Sequence, residues 1–345
     1  MRFLLLAVSL TAVLPAAKTL DIYFIDVEGG QATLIVSPSG QSMLVDAGWA
    51  GNNSRDAERI AAAGKLAGVK QIDYFVATHY HADHIGGVPQ LAAKVPVIHF
   101  VDHGPSVESG KNPDELFAAY RAVRDKAKHI QVKPGDKIPV KGLDVVVLTA
   151  GGELIASPVN GGGAANPLCA KEAQKREDKT ENARSVGTLT TFGKFRFVDL
   201  GDLTWNKELE LICPNNRVGN VDVYLTTHHG MDMSGPAAIV HALHPRVAIM
   251  NNGAKKGGAP VAWQVVRSSP DLEDLWQGHF AVAGGKENNA EEKFIANPDE
   301  TCQGQWIKVS AQSNGDFTVT NGRNGFSKTY KKKKGQVSGV SRAAR

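Results

Sequence analysis

The sequence predicts an α/β fold in which two sheets pack face to face with helices on the outside. Short apolar, β-branched runs bounded by Gly, Pro and Ser recur along the chain, and they alternate with helical stretches. A pattern of strand followed by polar loop occurs in both halves without an internal repeat of fixed period. At 345 residues the chain has room for about two core-sized units or one large α/β domain. Charged residues make up 21% and apolar ones 42%, a globular composition that excludes disordered, collagen-like and coiled-coil classes.

The first elements are strands at 20–25, 32–36 and 42–45, with turns at Gly29-Gly30 and Pro38-Ser39-Gly40. Asn53 or Ser54 can cap a helix running to about Leu66, stopped by Gly68, and 72–77 follows as a short buried strand. Residues 95–101 read as a strand and 113–128 as a helix, with Pro113 suited to its first turn. Another strand is expected at 143–149. Residues 150–183 are Gly-rich, then highly charged, and predict a long surface loop. Strands resume at 186–191, 195–200, 221–226 and 247–250, and 306–309 with 317–320 can add edge strands or a small cap.

The two ends carry different signals. Arg2, an apolar run over 3–14 and Pro15-Ala16-Ala17 have the order of a secretory signal peptide, placed at 1–17, and the run is too short to span a bilayer stably. A periplasmic or secreted location is the expectation, with no membrane span beyond the signal. The domain then covers 18–327, with the insert loop 150–183 and a strand or cap region at 256–327. A basic disordered tail is expected at 328–345. Eight of the basic side chains lie in 321–345 with no acidic one, so against a net charge of +4 the rest of the chain is mildly acidic. That distribution excludes a basic nucleic-acid-binding domain. Cys169, Cys213 and Cys302 permit one disulfide and leave one thiol over, and the spacing does not say which.

The chemistry concentrates in Thr78-His79-Tyr80-His81-Ala82-Asp83-His84-Ile85-Gly86-Gly87, directly after a buried strand. On an extended loop His79 and His81 point to one side and can chelate a metal. Asp83 and His84, one turn on at a helix start, can serve a second metal about 3.5–4 Å away. Imidazole with carboxylate suits zinc, and equally manganese or iron. Two later strand ends supply further candidates: Asp202 of Leu200-Gly201-Asp202, placed to bridge both ions, and one of His228 and His229 in Thr227-His228-His229-Gly230.

With these residues in view, the chain resembles the metallo-β-lactamase fold superfamily, and in detail the branch that includes the extracytoplasmic domain of the bacterial DNA-uptake channel. Besides the metal run, the resemblance is carried by Phe24-Ile25-Asp26-Val27-Glu28-Gly29-Gly30-Gln31-Ala32, Pro38-Ser39-Gly40, Leu44-Val45-Asp46-Ala47-Gly48, Glu181-Asn182-x-x-Ser185-Val186, Leu200-Gly201-Asp202 and His228-His229-Gly230. The resemblance implies an αββα sandwich with metals at one edge and water activated between them. It assigns His79 and His81 to the first metal, Asp83 and His84 to the second, Asp202 to the bridge and His229 to the second metal. Asp83 and Asp202 become the candidate catalytic residues. Asp46 matches a carboxylate that supports the metal loop. Where most relatives place a third histidine on the first metal, this chain has Asn182 with Ser185, and where the branch tends to be acidic it has Gln31. His103, after the 95–101 strand, is the alternative third ligand, with a structural hydrogen bond as its competing role. The resulting expectation is an exported hydrolase with a two-metal site of zinc type, Mn2+ or Fe being alternatives. Its substrate is a phosphodiester, a nucleic acid among the candidates, or else a small-molecule β-lactam or lactone. A non-catalytic, metal-dependent envelope binding module is the rival of a different class. Oligomeric state has no sequence signature.

Overall fold

A computed structural model describes residues 19–332, so the signal-peptide segment and residues 333–345 lie outside the described residues. The first sheet has nine strands, in the spatial order Ser327–Tyr330, Phe317–Asn321, Ile307–Ala311, Leu20–Phe24, Thr33–Val36, Ser42–Val45, Ile72–Val76, Val97–Asp102 and Lys128–Gln131. It is antiparallel as far as Ser42–Val45 and parallel beyond. The second sheet runs Ile295–Asn297, Asp274–His279, Val247–Met250, Val223–Leu225, Phe195–Asp199, Gly187–Phe192, Asp144–Ala150 and Lys137–Ile138, with Glu153–Leu154 paired to Asp144–Ala150. Its first five strands are mutually parallel.

Period-two burial explains why the sheets face each other. Leu20, Ile22 and Phe24 alternate with Tyr23 and Ile25. The first set joins Phe195, Phe197, Val223, Leu225 and Ile249 between the sheets, and the second lies under the outer helices. The Phe24 and Phe197 rings meet edge to face at 5.6 Å across that interface. Arg55–Leu66 and Lys111–Arg124 cover the first sheet, with Ile60, Ala63 and Tyr120 buried. Trp205–Ile212, Ala237–Ala242 and Pro260–Arg267 cover the second, against Val198, Tyr224 and Ala248. The result is a four-layer αββα sandwich, as expected. Among the described residues no helix is long and apolar enough to cross a membrane.

Several boundaries differ from expectation for identifiable reasons. The helix expected over 113–128 spans Lys111–Arg124, and Lys128–Gln131 is instead an edge strand. Ser54 occupies the N-cap position of Arg55–Leu66 with φ 64, but its side chain makes no capping bond. The 150–183 loop is tied down: Cys169 and Cys213 form the disulfide, and short 3-10 turns occupy Pro167–Lys171 and Glu181–Arg184. Cys302 is the free thiol. The region 256–327 is no separate cap, because Asp274–His279 and Ile295–Asn297 complete the second sheet before the chain crosses to the first.

Residues 328–332, expected to belong to a disordered tail, are instead ordered. Ser327–Tyr330 pairs antiparallel with Phe317–Asn321, and the buried Tyr330 ring stacks on Phe317 at 4.9 Å. Asp274 accepts from Lys328 and from Tyr330 Oη, and Lys332 Nζ lies 2.9 Å from Asp222. Acidic partners on the second sheet neutralise lysines that by composition alone look solvated.

Candidate metal centre

The parallel strands of both sheets end at the same edge, where an α/β sheet gathers ligands. From the first sheet, Asp46 follows Ser42–Val45 with a left-handed φ of 60. Its carboxylate accepts from Thr78 N at 2.8 Å, Thr78 Oγ1 at 2.7 Å and His84 Nδ1 at 2.7 Å. That bond leaves His84 Nε2 facing Asp83 and Asp202. The single helical turn Ala82–Ile85 carries Asp83 and His84. It is backed by the Gly29-Gly30 turn: Gln31 N donates to the Asp83 carbonyl at 3.1 Å, and Gly30 presses on that carbonyl where a Cβ would clash.

From the second sheet, Asp202 follows Phe195–Asp199 through Gly201, whose φ is 56 and whose Cα faces Thr78 too closely for a side chain. The turn Thr227–Gly230 follows Val223–Leu225, and both His228 and His229 are left-handed, with φ 55 and 56. Non-glycine residues are rarely held so, and such strain concentrates at functional sites. His228 N donates to Gly201 O at 3.0 Å, which locks the two loops together.

Asp83, His84, Asp202 and His229 each bring one donor atom to within 4.8 Å of the others. His84 Nε2 lies 3.2 Å from both Asp83 Oδ2 and Asp202 Oδ2. His229 Nε2 lies 3.2 Å from Asp83 Oδ2 and 3.3 Å from Asp202 Oδ1. His228 joins them, its Nε2 3.2 Å from Asp202 Oδ2. His84 Nε2, both nitrogens of His229 and Asp202 Oδ1 are buried without a hydrogen-bond partner. Convergent nitrogen and carboxylate donors left unpaired in the interior fit a divalent cation of zinc type.

The electrostatics agree. Burial disfavours charge on Asp83 and Asp202, yet the surrounding imidazoles hold both carboxyls well below their usual range. Burial likewise opposes charge on His84, but Asp202, Asp83 and Asp46 outweigh it and raise its pKa well above the ordinary value. His228 is pushed down to about 4, mainly by burial. The two ionised carboxylates thus require positive charge beside them, which a divalent cation would supply directly.

His79 and His81 border this set. His79 Nε2 lies 3.1 Å from His81 Nδ1, and the His79 and His84 rings are 4.0 Å apart. The pair offers two donors, and no third His, Cys, Asp or Glu among the described residues closes a set with them. Asn182 is buried in the Glu181–Arg184 turn, its Oδ1 unpartnered. His103 is not brought to the centre: its Nε2 bonds Glu181 Oε2 at 2.9 Å, the structural role that competed with ligation.

Two nearby residues, Glu108 and Lys256, escaped sequence reasoning, and a third, Gln31, was marked only as a departure from the branch. Glu108 Oε1 holds His81 Nε2 at 3.0 Å and accepts from Glu181 N at 3.1 Å, and nothing in its loop marks it out. Lys256 pairs with Asp83, its Nζ 5.0 Å from the centre of the Trp49 ring at the half-exposed rim. Gln31 Nε2 donates to Asp199 Oδ2 at 2.9 Å, and burial raises Asp199 to about 6. A carboxylate at position 31 would confront that of Asp199, whereas the amide pairs with it.

The model of the metallo-beta-lactamase superfamily matches residues 25–165, a span that includes His79 to His84 and stops before Asp202. No curated protein matches the chain. Among solved structures, a mutant of the CmlA β-hydroxylase aligns at TM-score 0.45 and 14% identity, covering 76% of this chain and 53% of that one. CmlA described as a diiron β-hydroxylase from Streptomyces venezuelae aligns at 0.41 and 15%, covering 76% and 48%. Zn(2+)-bound PqqB from Methylobacterium extorquens aligns at 0.42 and 12%, covering 67% and 89%. The chain spans 53% to 60% of the length of the first three structures that it matches. Two facing mixed sheets flanked by helices and the site at their shared edge give this chain the metallo-β-lactamase fold, and the match to the superfamily model extends over residues 25–165.

Proposed function

We propose that the protein is an exported metal-dependent hydrolase that activates water at a two-metal type site to cleave a phosphodiester. The observation that carries this reading is the convergence of Asp83, His84, Asp202 and His229 with unpaired buried donors, beside the His79–His81 pair. Asp83, His84, Asp202 and His229 would hold one ion, and His79 with His81 part of the shell of another. Divalent metal ions bound there supply acidification of water and Lewis-acid polarisation of the scissile centre. Asp46 fixes the ring of His84 through Nδ1, and Glu108 fixes that of His81 through Nε2, so the opposite nitrogens stay aimed inward. Lys256 stands at the rim with Trp49, a cation and an aromatic face suited to an anionic substrate with a flat leaving group. Phosphodiesters meet that description, and the similarity of the flanking motifs to the DNA-uptake branch favours them. Cys169–Cys213 supports export, since disulfides persist in oxidising compartments.

Purified protein with added Zn2+ or Mn2+ should turn over bis-p-nitrophenyl phosphate in preference to nitrocefin or a lactone. Asp202→Ala should lower turnover by well over tenfold, more than about 1.4 kcal/mol, with unchanged circular dichroism. Turnover of nitrocefin or the lactone alone would move the substrate to an acyl compound. Metal binding without turnover of any of the three would favour the binding module.

A further inference from the structure

A second group of metal-type donors lies away from this centre. Asp26 and Glu28 follow strand Leu20–Phe24, His279 ends strand Asp274–His279, and Cys302 lies in the connection between the two sheets. Each offers one ligand atom, and these atoms lie within 4.8 Å of one another.

Their separations are close to, and in part shorter than, the edges of a tetrahedral shell. Metal–ligand bonds of about 2.0–2.3 Å, as zinc makes to oxygen, nitrogen and sulfur, imply ligand–ligand edges of roughly 3.3–3.8 Å. Cys302 Sγ lies 3.1 Å from Asp26 Oδ2, 3.2 Å from Glu28 Oε1 and 3.8 Å from His279 Nε2. His279 Nε2 lies 3.6 Å from Glu28 Oε2, and 2.8 Å from Asp26 Oδ1. A hydrogen-bond network accounts less well for the sulfur. A thiol has one proton and cannot donate to two carboxylates, so in that reading one oxygen faces a sulfur lone pair.

Arg59 is the competing cation: its Nη1 lies 2.8 Å from Asp26 Oδ2 and its Nη2 3.4 Å from Cys302 Sγ. Its charge suits a metal site as well. A divalent ion, two carboxylates, one thiolate and one guanidinium sum to zero, whereas a divalent ion with the three anions alone would leave a buried net negative charge. Access exists, because Cys302, Asp299, Thr301 and Gln303 line a cavity of about 400 Å³.

We propose that Asp26, Glu28, His279 and Cys302 bind a single zinc-type ion, separate from the His/Asp centre. Binding forms four metal–ligand bonds and breaks the Cys302 S–H bond, whose proton leaves to solvent. The ion clasps the turn that continues through Gly29-Gly30, the backing of the Asp83 carbonyl, to the end of the second sheet. It is a structural clasp, with all four positions filled by protein.

Cobalt distinguishes the two centres, because the first contains no sulfur. Cys169 and Cys213 are joined, and the sequence has no other cysteine than Cys302. Metal-stripped full-length protein titrated with Co2+ should develop a near-ultraviolet sulfur-to-cobalt charge-transfer band whose full intensity corresponds to one sulfur-bound cobalt per chain. The band should persist in Asp202→Ala and vanish in Cys302→Ser, which should also bind one ion fewer. As a check that needs no variant, Zn2+ should protect Cys302 from iodoacetamide by at least tenfold, and EDTA should restore alkylation. Cobalt bound without the charge-transfer band, or alkylation at the same rate with and without Zn2+, would overturn the proposal.

Discussion

Asp46 touches no solvent and reaches the metal centre only through His84, so it separates orientation from ligation. Asp46→Asn can still accept from Thr78 but loses the charge behind the imidazole. It should weaken metal affinity about 10–100-fold with little change in fold, as read by a competition titration with a chelator. An unchanged affinity would mean that His84 is held well enough by packing. His79 to His84 were legible because one loop compresses the donors into six residues, and Asp202 and His229 because each follows a buried strand. Lys256 and Glu108 were not legible, since each is an ordinary charged loop residue until the fold carries it across to Asp83 or His81.

Among the elements, helix Trp205–Ile212 touches the histidine turn through Glu208, which bonds the Thr227 side chain. Glu208 on it is fully buried, accepts from Gly235 N at 2.6 Å, and is raised by burial to about 8 from the ordinary 4.5. The folded state therefore binds a proton between about pH 4.5 and 8 that the unfolded chain has released, so stability falls as pH rises through that window and levels off above it. Glu208→Gln should remove this slope, raising the melting temperature at pH 8 relative to the parent and leaving it near parental at pH 4. A parallel shift at both pH values would assign the effect to packing. The helix itself passed unmarked in the sequence, being two turns long, whereas the strands at 42–45 and 247–250 were placed to the residue by their uninterrupted apolar runs. Edge strands such as Lys128–Gln131 and Ser327–Tyr330 were missed because half-exposed, lysine-bearing segments lack that signal.

For the whole molecule, long connections set the stability. The disulfide joins residues 44 apart and encloses the charged second half of the insert, and its removal in a Cys169→Ser, Cys213→Ser double variant should cost roughly 2–4 kcal/mol in urea unfolding. A still longer connection joins the first strand to its neighbour: Leu20 pairs with Ala311 and Phe24 with Ile307. A chain emerging N-terminus first must therefore hold Leu20–Phe24 with one edge bare until Ile307–Ala311 has been made. Such an edge is a template for intermolecular pairing. Chains truncated just before Ile307 should fail to give soluble monomer, whereas truncation after Lys332 should be tolerated, as size-exclusion chromatography of the two would report. The order of synthesis thereby becomes a proofreading step, in which Leu20–Phe24 is sealed only by a chain that has been made past Ala311.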